Sequence, residues 1–345
     1  MRELRTRLLT TLCAAAVSAF SLTAGAAELK SIAILVPEQG SDFGWNQQGV
    51  DSAKAAAAKT GVELTVAQGL GYGDVRPTLR ELAEDGVGLM LCHASGYNTA
   101  CPEIAQEMKV PVAIVDRPDL LKPGLVADYT LSGHEGAYLA GRLAAKVSRT
   151  GTVGVVVSGE PPSWNSQSAG FAQGVKAEKP GTKIVYAVIG PAAYSDAAGG
   201  QRVTGSVIAA GADVIFGQGN GSSFGMLQAV ETTKAVDGGK VLFIDVIGDK
   251  TTLDKGFLLT SVLWDMTPVY ASMVDDIKAG TFGTKHYKIQ LSDNSVRLLQ
   301  TKNVPADAWA PIMALRDDII SGKIKIEPVF DAAAVRALMT DVAAK

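Results

Sequence analysis

The chain has 345 residues, a formal net charge of −3 at pH 7 and a hydrophobic content of 47%. This mildly acidic balance argues against a nucleic acid polymer or an anionic membrane surface as the partner. After the N-terminal segment, no apolar run approaches the roughly 20 residues needed to span a bilayer. The length is sufficient for two domains of ordinary size.

The N-terminal segment predicts an export signal. Arg2, Arg5 and Arg7 precede an apolar stretch over residues 8–22, and the small residues 24–26 follow as a cleavage site. We therefore expect a signal peptide over residues 1–26, and a mature protein that is soluble in the periplasm. Its removal takes away three Arg and one Glu, which changes the net charge from −3 to −5.

Cys13 raises the alternative of a lipoprotein. Leu12 stands directly before this cysteine, where a lipoprotein signal would carry Gly or Ala. The sequence therefore favours a cleaved signal peptide over lipid attachment.

The mature chain has two cysteines, Cys92 and Cys101. In an oxidising compartment, two cysteines at this separation predict a disulfide across a loop. A metal site would need more ligands than these residues and His93 supply, since the chain contains only three His. We expect neither a metal nor a cofactor.

Short apolar runs recur along both halves of the chain, and each is followed by a helical pattern of Ala, Leu and Val. The runs are SIAILV, VELTVA, VGLMLC, VPVAIV and LVADYT in the first half, and GTVGVVV, KIVYAVI, ADVIFG, KVLFIDV and LLTSVL in the second. Runs separated by helices such as 48–59 and 136–146 are typical of parallel strands covered on both faces. The pattern predicts two doubly wound α/β domains.

A last strand-like run, YKIQLSDNSVRLL, lies between helical patterns near 267–279 and 305–321. It turns at residues 292–294 and is long enough to pass between two domains as a hinge segment. A ligand would then sit in a cleft outside the carboxyl ends of the strands. The expected lobes are an N-terminal lobe of residues 27–130 plus 264–290 and a C-terminal lobe of residues 131–263 plus 291–345.

Four segments resemble the basic membrane protein family of ABC-transporter substrate-binding proteins: SDFGWNQQGVDSA, HEGAYLAGRLAAK, SAGFAQGVKAEKPGTKI and LLTSVLWDMTPVYASMVDDIKAGTF. The resemblance covers roughly residues 31–300. It implies a type I periplasmic binding fold, in which two doubly wound parallel-sheet lobes are joined by a multi-crossover hinge. It also implies a purine nucleoside as the ligand, an ABC permease and ATPase complex as the partner, and a monomer.

The resemblance places several ligand contacts. An Asp, an aromatic residue and an Asn after the first strand match Asp42, Trp45 and Asn46, and a second carboxylate after the fourth strand matches Asp116. The glycine-rich turn that lets backbone approach the ligand matches GQGNG. This GQGNGSSFG stretch lacks the third Gly of a dinucleotide fingerprint, which argues against a bound cofactor.

Two positions depart from the family pattern. Where a nucleoside receptor carries a Lys after its TS strand, this chain has Trp264 and Asp265. The ribose-binding Asp aligns with Ile247, which stands between Asp245 and Asp249. Because both polar ribose contacts are absent, a sugar or polyol is an alternative ligand to a purine base or nucleoside.

Each candidate also has a structural interpretation. Trp45, Trp164 and Trp264 offer flat faces for stacking on a ligand, but aromatic rings near strand ends also pack in cores. Polar groups at helix starts commonly act as N-caps, and a lone His is more often structural. The candidate ligand-binding residues are Asp42, Phe43, Trp45, Asn46, His93, Asp116, Trp164, Gly217, Gly219, Asn220, Asp245, Trp264 and Asp265.

A receptor for a small uncharged solute is the leading functional hypothesis. The enzyme alternative needs an oriented acid/base pair or nucleophile, and the pairing of Asp42 with His93 is not oriented by anything in the sequence. A ligand-binding sensor module shares the same fold and is a further alternative.

Overall fold

The computed structural model describes residues 29–340, and the predicted signal peptide lies outside these described residues. Strands and helices alternate through the first half of the chain. The elements are β1 (Ser31–Leu35), α1 (Trp45–Thr60), β2 (Glu63–Ala67), α2 (Arg76–Glu84), β3 (Met90–Cys92), α3 (Ala100–Met108), β4 (Val112–Val115) and β5 (Val126–Leu131).

The second half repeats this alternation before the chain returns to the first half. The elements are α4 (Gly133–Val147), β6 (Thr152–Val157), α5 (Pro162–Glu178), β7 (Lys183–Val188), α6 (Ala197–Ala209), β8 (Val214–Gln218), α7 (Ser222–Thr232), β9 (Leu242–Ile247), β10 (Leu258–Trp264), α8 (Thr267–Ala279), β11 (Tyr287–Ile289), β12 (Val296–Leu298), α9 (Ala306–Ile320) and α10 (Ala332–Thr340). All ten apolar runs predicted as strands form strands β1 to β10.

The described strands form two six-stranded sheets, ordered β11-β5-β4-β3-β1-β2 and β12-β10-β9-β8-β6-β7. Neighbouring strands pair in parallel, except that β12 is antiparallel to β10. Strands such as β4 are buried along their whole length because helices cover both faces of each sheet. This confirms the predicted α/β class of two doubly wound parallel sheets.

Within residues 29–340 the chain crosses three times between the sheets: after β5, after β10, and between β11 and β12. The run YKIQLSDNSVRLL therefore passes from one sheet to the other, as predicted. We call the first sheet with α1, α2, α3 and α8 the first lobe, and the second sheet with the other helices the second lobe. Helix α8 packs on α1, whereas α9 packs on α4 and α10 on α5.

Helices α4 and α5 pack unusually closely, and this contact orients the start of α5. A Cβ added at Gly141 would lie 2.1 Å from the Phe171 carbonyl oxygen, and one at Gly174 would lie 2.1 Å from the Tyr138 carbonyl oxygen. Glycine is required at these positions because any side chain would collide with the facing backbone. The segments HEGAYLAGRLAAK and SAGFAQGVK therefore form the closely packed helix pair of the second lobe.

The predicted disulfide between Cys92 and Cys101 is present. It joins the end of β3 to α3 and closes the loop that begins at His93. Among residues 29–340, no cluster of three or more His, Cys, Asp or Glu side chains is suited to a metal ion. In the same range, no helix has both the length and the apolar character needed to cross a membrane.

Candidate ligand-binding site

A cavity of about 310 Å³ lies between the two lobes. The described residues give it five aromatic side chains, which are Trp45, Tyr72, Trp164, Tyr194 and Trp264. Its wall also contains the polar side chains of Ser95, Ser163 and Asn220. The lining is therefore mostly apolar, with a few hydrogen-bonding groups.

The strand order explains the position of this cavity. In each sheet the order of the strands reverses beside the first strand of the lobe, between β1 and β3 and between β6 and β8. Ligands of doubly wound sheets bind outside the carboxyl ends of the strands at such a reversal. The loops after β1 and β3 contribute Pro37 and residues 94–96 to the cavity, and those after β6 and β8 contribute Pro161 and Asn220.

The SDFGWN turn after β1 is held by the Asp42 carboxylate. Its Oδ1 accepts hydrogen bonds from the backbone N–H groups of Gly44 (3.0 Å) and Gln47 (2.9 Å). Its Oδ2 accepts from the backbone N–H (3.1 Å) and Nδ2 (2.8 Å) of Asn46. Asp42 and Asn46 are buried and are not among the cavity-lining residues. Both side chains therefore fix the start of α1, and with it the position of Trp45.

Trp45 is the first residue of α1 and lines the cavity. Its indole stacks on the His93 imidazole with ring centroids 3.5 Å apart and an interplanar angle of 12°. Its Nε1–H donates to the His93 carbonyl oxygen at 2.9 Å, and its ring meets that of Trp264 edge to face at 6.2 Å. Trp45 therefore both lines the cavity and packs against His93 within the first lobe.

His93 lies behind Trp45 rather than in the cavity, and it is fully buried. Burial lowers the pKa of His93 to about 3, so that the imidazole is neutral at physiological pH. Asp42 hydrogen-bonds backbone groups of the SDFGWN turn, and no hydrogen bond joins it to His93 among the described residues. The structure therefore does not assemble the acid/base pair that the sequence raised as an enzyme alternative.

Trp164 and two tyrosines form another side of the cavity. The rings of Trp164 and Tyr194 meet edge to face at 5.4 Å, and Tyr194 lies 6.0 Å from Tyr72 of the first lobe. Neither tyrosine is among the candidates predicted from the sequence. Each follows the second strand of its lobe in the loop after β2 or β7, so their corresponding positions in the two halves are the signal that could have identified them.

Asp116 follows β4 directly after the lining residue Val115, and it is not itself among the cavity-lining residues. Its Oδ1 accepts from the backbone N–H of Leu131 at 2.9 Å. Burial of the carboxyl group raises the pKa of Asp116 to about 7, and the charge of Asp128 adds to the rise. Hydrogen bonds from the Leu131 N–H and the Ser163 side chain favour the charged form and limit this rise in pKa.

Three non-glycine residues near the strand ends adopt positive φ: Phe43 (48°), Asp116 (52°) and Ile247 (71°). Such a conformation is uncommon outside glycine, and for a β-branched residue such as Ile it is a genuine outlier. Backbone strain of this kind concentrates at functional sites, where the surrounding structure holds it in place. All three positions follow or end strands at the edge where the cavity lies.

Besides Asp42, Phe43, Asn46, His93 and Asp116, four more predicted contacts are not among the cavity-lining residues. Gly217 is inside β8, where a Cβ would come within 2.6 Å of the Phe243 ring, and a Cβ at Gly219 would lie 2.0 Å from Ser222 Oγ. Asp265 Oδ1 accepts from the Thr267 backbone N–H at the start of α8. The fourth is Asp245, which is fully buried in β9. The two glycines therefore serve close packing, and Asp265 serves the crossing between the lobes.

The lobes are joined by polar contacts around the cavity. The fully buried Lys250 of the second lobe forms an ion pair with Asp245 and donates to the Phe43 carbonyl oxygen of the first lobe at 2.8 Å. Asn220 Oδ1 accepts from the Trp45 backbone N–H at 3.4 Å. Burial raises the pKa of Asp245 and the Lys250 charge opposes that rise. The structure is therefore a closed arrangement of the two lobes.

Two α/β lobes that close on an aromatic cavity define a bilobal solute-binding protein. The family model for PnrA-like ABC transporter substrate-binding proteins, Bmp, matches residues 29–328. The chain belongs to this family, as the sequence resemblance predicted.

The chain is also similar to individual relatives, and it shares its fold with solved structures. The chain is 22% identical over 262 residues to the transcriptional activator protein med of Bacillus subtilis (strain 168), covering 75% of this chain and 79% of that protein. It is 27% identical over 214 residues to the ABC transporter nucleoside-binding protein BmpA of Lactococcus lactis subsp. cremoris (strain MG1363), covering 58% and 60%. A crystal structure of an ABC transporter solute-binding protein from Aeropyrum pernix K1 matches with a TM-score of 0.75 at 18% identity, covering 91% and 97%.

Replacement of Asp116 by Asn tests the origin of its raised pKa. The folded state holds a proton on Asp116 up to about pH 7, whereas the unfolded chain releases it near pH 3.8. The contribution of this group to the free energy of unfolding of the wild type therefore falls as the pH rises between these two values. Asp116→Asn removes this loss, and Asn tolerates positive φ. We expect its melting temperature relative to wild type to rise from pH 4 to pH 7 and then level off. A difference that is independent of pH would contradict this explanation.

Replacement of Lys250 by Met tests the buried ion pair. Met keeps much of the side-chain volume but leaves the Asp245 carboxyl group buried without its partner, which typically costs about 3–5 kcal/mol of unfolding free energy. The double variant Lys250→Met/Asp245→Val removes both charges, and we expect it to recover most of that loss. Urea unfolding measures both values. A double variant as unstable as the single one would show that the pairing of charges is not the cause.

Proposed function

We propose that this protein is the solute-binding component of an ABC importer and that it captures a purine base or nucleoside in the cavity between its lobes. The observation that carries the proposal is the cavity wall, in which tryptophan and tyrosine rings from both lobes surround a space of about 310 Å³. Ligand pockets range from about 300 to 1,000 Å³. A cavity at the lower end of this range suits a small solute.

A purine matches the chemistry of this wall. Indole and phenol rings stack on flat heterocycles. The Asp116 carboxyl group, next to the lining residue Val115, can accept from a ring N–H when ionised and donate to a ring nitrogen when protonated. The Nε1–H of Trp264 is buried without an acceptor among the described residues. Because buried donors normally have partners, an acceptor nitrogen or keto oxygen of a bound purine would complete this group.

A sugar or polyol is the second candidate. It is favoured because Trp264 and Asp265 stand where the family's nucleoside receptors carry a Lys, and because Lys250 already contacts Asp245 and the Phe43 carbonyl oxygen. A free sugar, however, carries several hydroxyl groups that each need a hydrogen-bond partner. The few polar side chains at the cavity therefore support the purine over the sugar.

The wider function follows from this ligand. We propose that residues 27–130 plus 264–290 and residues 131–263 plus 291–345 move as two lobes about the three crossings, and that closure is the state recognised by a permease and ATPase complex. The protein would act as a periplasmic monomer after loss of its signal peptide. It would bind its solute without catalysing a reaction on it.

Calorimetric titration of wild type and of Trp45→Ala tests the proposal. The probes are adenine, guanine, adenosine and guanosine, with ribose and arabinose as the sugar set. We expect at least one purine to bind more tightly than either sugar. Trp45→Ala should weaken that binding at least roughly tenfold, since truncation of a central aromatic anchor commonly costs about 2 kcal/mol or more.

Trp309→Ala is the matched control, because Trp309 lies on α9 and is not among the cavity-lining residues. It should leave the purine affinity within about twofold of wild type, a change smaller than about 0.5 kcal/mol. Binding of a sugar alone would favour the second candidate. Unchanged purine affinity in Trp45→Ala would remove the cavity as the binding site.

A further inference from the structure

A fully buried histidine supports the wall of the cavity without touching the cavity itself. His93 Nε2 lies 2.9 Å from the Trp45 carbonyl oxygen, and Trp45 Nε1–H returns a hydrogen bond of 2.9 Å to the His93 carbonyl oxygen. The two rings are stacked between these bonds. Gly49 leaves the space for this arrangement, since a Cβ there would lie 2.4 Å from His93 Nε2.

The other ring nitrogen of His93 faces two buried hydroxyl groups. Nδ1 lies 2.8 Å from the hydroxyl oxygens of both Tyr129 and Tyr270, and those oxygens lie 3.4 Å apart. The Trp45 carbonyl oxygen can only accept, so we assign the proton of the neutral imidazole to Nε2. Nδ1 is then the acceptor for a tyrosine hydroxyl.

These bonds connect the cavity wall to the crossing between the lobes. Tyr270 belongs to α8, which begins three residues after β10 ends, and its hydroxyl can donate to that of Tyr129 in β5. The chain of contacts then passes through His93, directly after β3, to Trp45 at the start of α1. Four separate segments of the first lobe are thus tied to one indole ring.

We propose that His93 is the positioning residue for Trp45, and that its hydrogen bonds, rather than its volume, set the angle at which the indole faces the ligand. A ring that only filled space would leave the indole held by the stack and by the single bond from its Nε1–H to the backbone carbonyl oxygen of residue 93. The bonds at both ring nitrogens of His93 fix the imidazole plane. Trp45 is held against that plane before any ligand arrives, which lowers the ordering cost of binding.

The variant His93→Phe separates these two roles, since Phe retains an aromatic ring against Trp45 and loses both ring-nitrogen hydrogen bonds. In ligand-free protein we expect the Trp45 indole N–H, assigned with Trp45→Phe, to exchange with solvent at least about tenfold faster than in wild type. With adenosine and guanosine as probes, we expect a fivefold to tenfold loss of affinity, on the order of one or two lost hydrogen bonds. His134→Gln, at a half-buried histidine in α4, should change neither value.

A second variant keeps the test decisive if His93→Phe does not fold. Tyr129→Phe/Tyr270→Phe leaves His93 and the cavity lining intact but removes both hydroxyl groups that face Nδ1. We expect it to speed exchange of the Trp45 indole N–H and to weaken purine affinity, each by about twofold to threefold. Tyr138→Phe, at a buried tyrosine in the second lobe, is its control.

The affinity measurement rests on the proposed function, whereas the exchange measurement does not. If wild type binds no purine, the proposed function fails and the exchange rate alone decides the role of His93. A folded His93→Phe protein with wild-type exchange at the Trp45 indole would overturn the positioning role, whatever the ligand is.

Discussion

Parallel strands end at one edge of a sheet, and this constraint determines where every residue of the cavity lies. Because β1 to β5 run in one direction and β6 to β10 run in one direction, the loops that follow them collect at a single edge of each sheet. The three crossings hold these two edges against each other. The cavity is therefore a consequence of topology, and the side chains of the loops decide only what it binds.

Polar groups at this edge mainly hold the backbone in place, while aromatic groups form the surface offered to a ligand. The carboxylate of Asp42 and the amide of Asn46 fix the start of α1, and Lys250 joins two loops of different lobes. The carboxyl group of Asp116 also accepts from a backbone N–H, that of Leu131. Its raised pKa marks a carboxyl group kept at the cavity at some cost in stability, a combination that is typical of functional sites.

The sequence was sufficient to predict the strands, the class of fold and the disulfide, because continuous apolar runs and cysteine spacing carry that information locally. It also placed Trp45, Trp164, Trp264 and Asn220 near the ends of strands, where the structure has them lining the cavity. The sequence alone could not show that Asp42 bonds the backbone of the turn while Trp45 lines the cavity. The direction of each side chain within one turn depends on which group caps the helix.

The remaining differences depend on contacts between distant segments. Asp245 was a candidate because it stands near Ile247, which aligns with the family's ribose-binding Asp, but it lies inside the buried strand β9 and pairs with Lys250 beyond the strand end. Tyr72 and Tyr194 lie in loops without periodicity, so no local pattern indicates that their rings approach each other. His93 was a candidate contact with a structural alternative, and the stacking of Trp45 places it behind the cavity wall.

The central claim is that the space between the lobes receives a flat purine ring against Trp45. A crystal structure of the protein with the tightest-binding purine of the titration set tests it most directly. The account predicts that the base lies in the cavity between the lobes, stacked on the indole of Trp45, with Asp116 and Asn220 within hydrogen-bond distance of the ligand. A purine bound outside this cavity, or one bound inside it without stacking on the Trp45 indole, would contradict it.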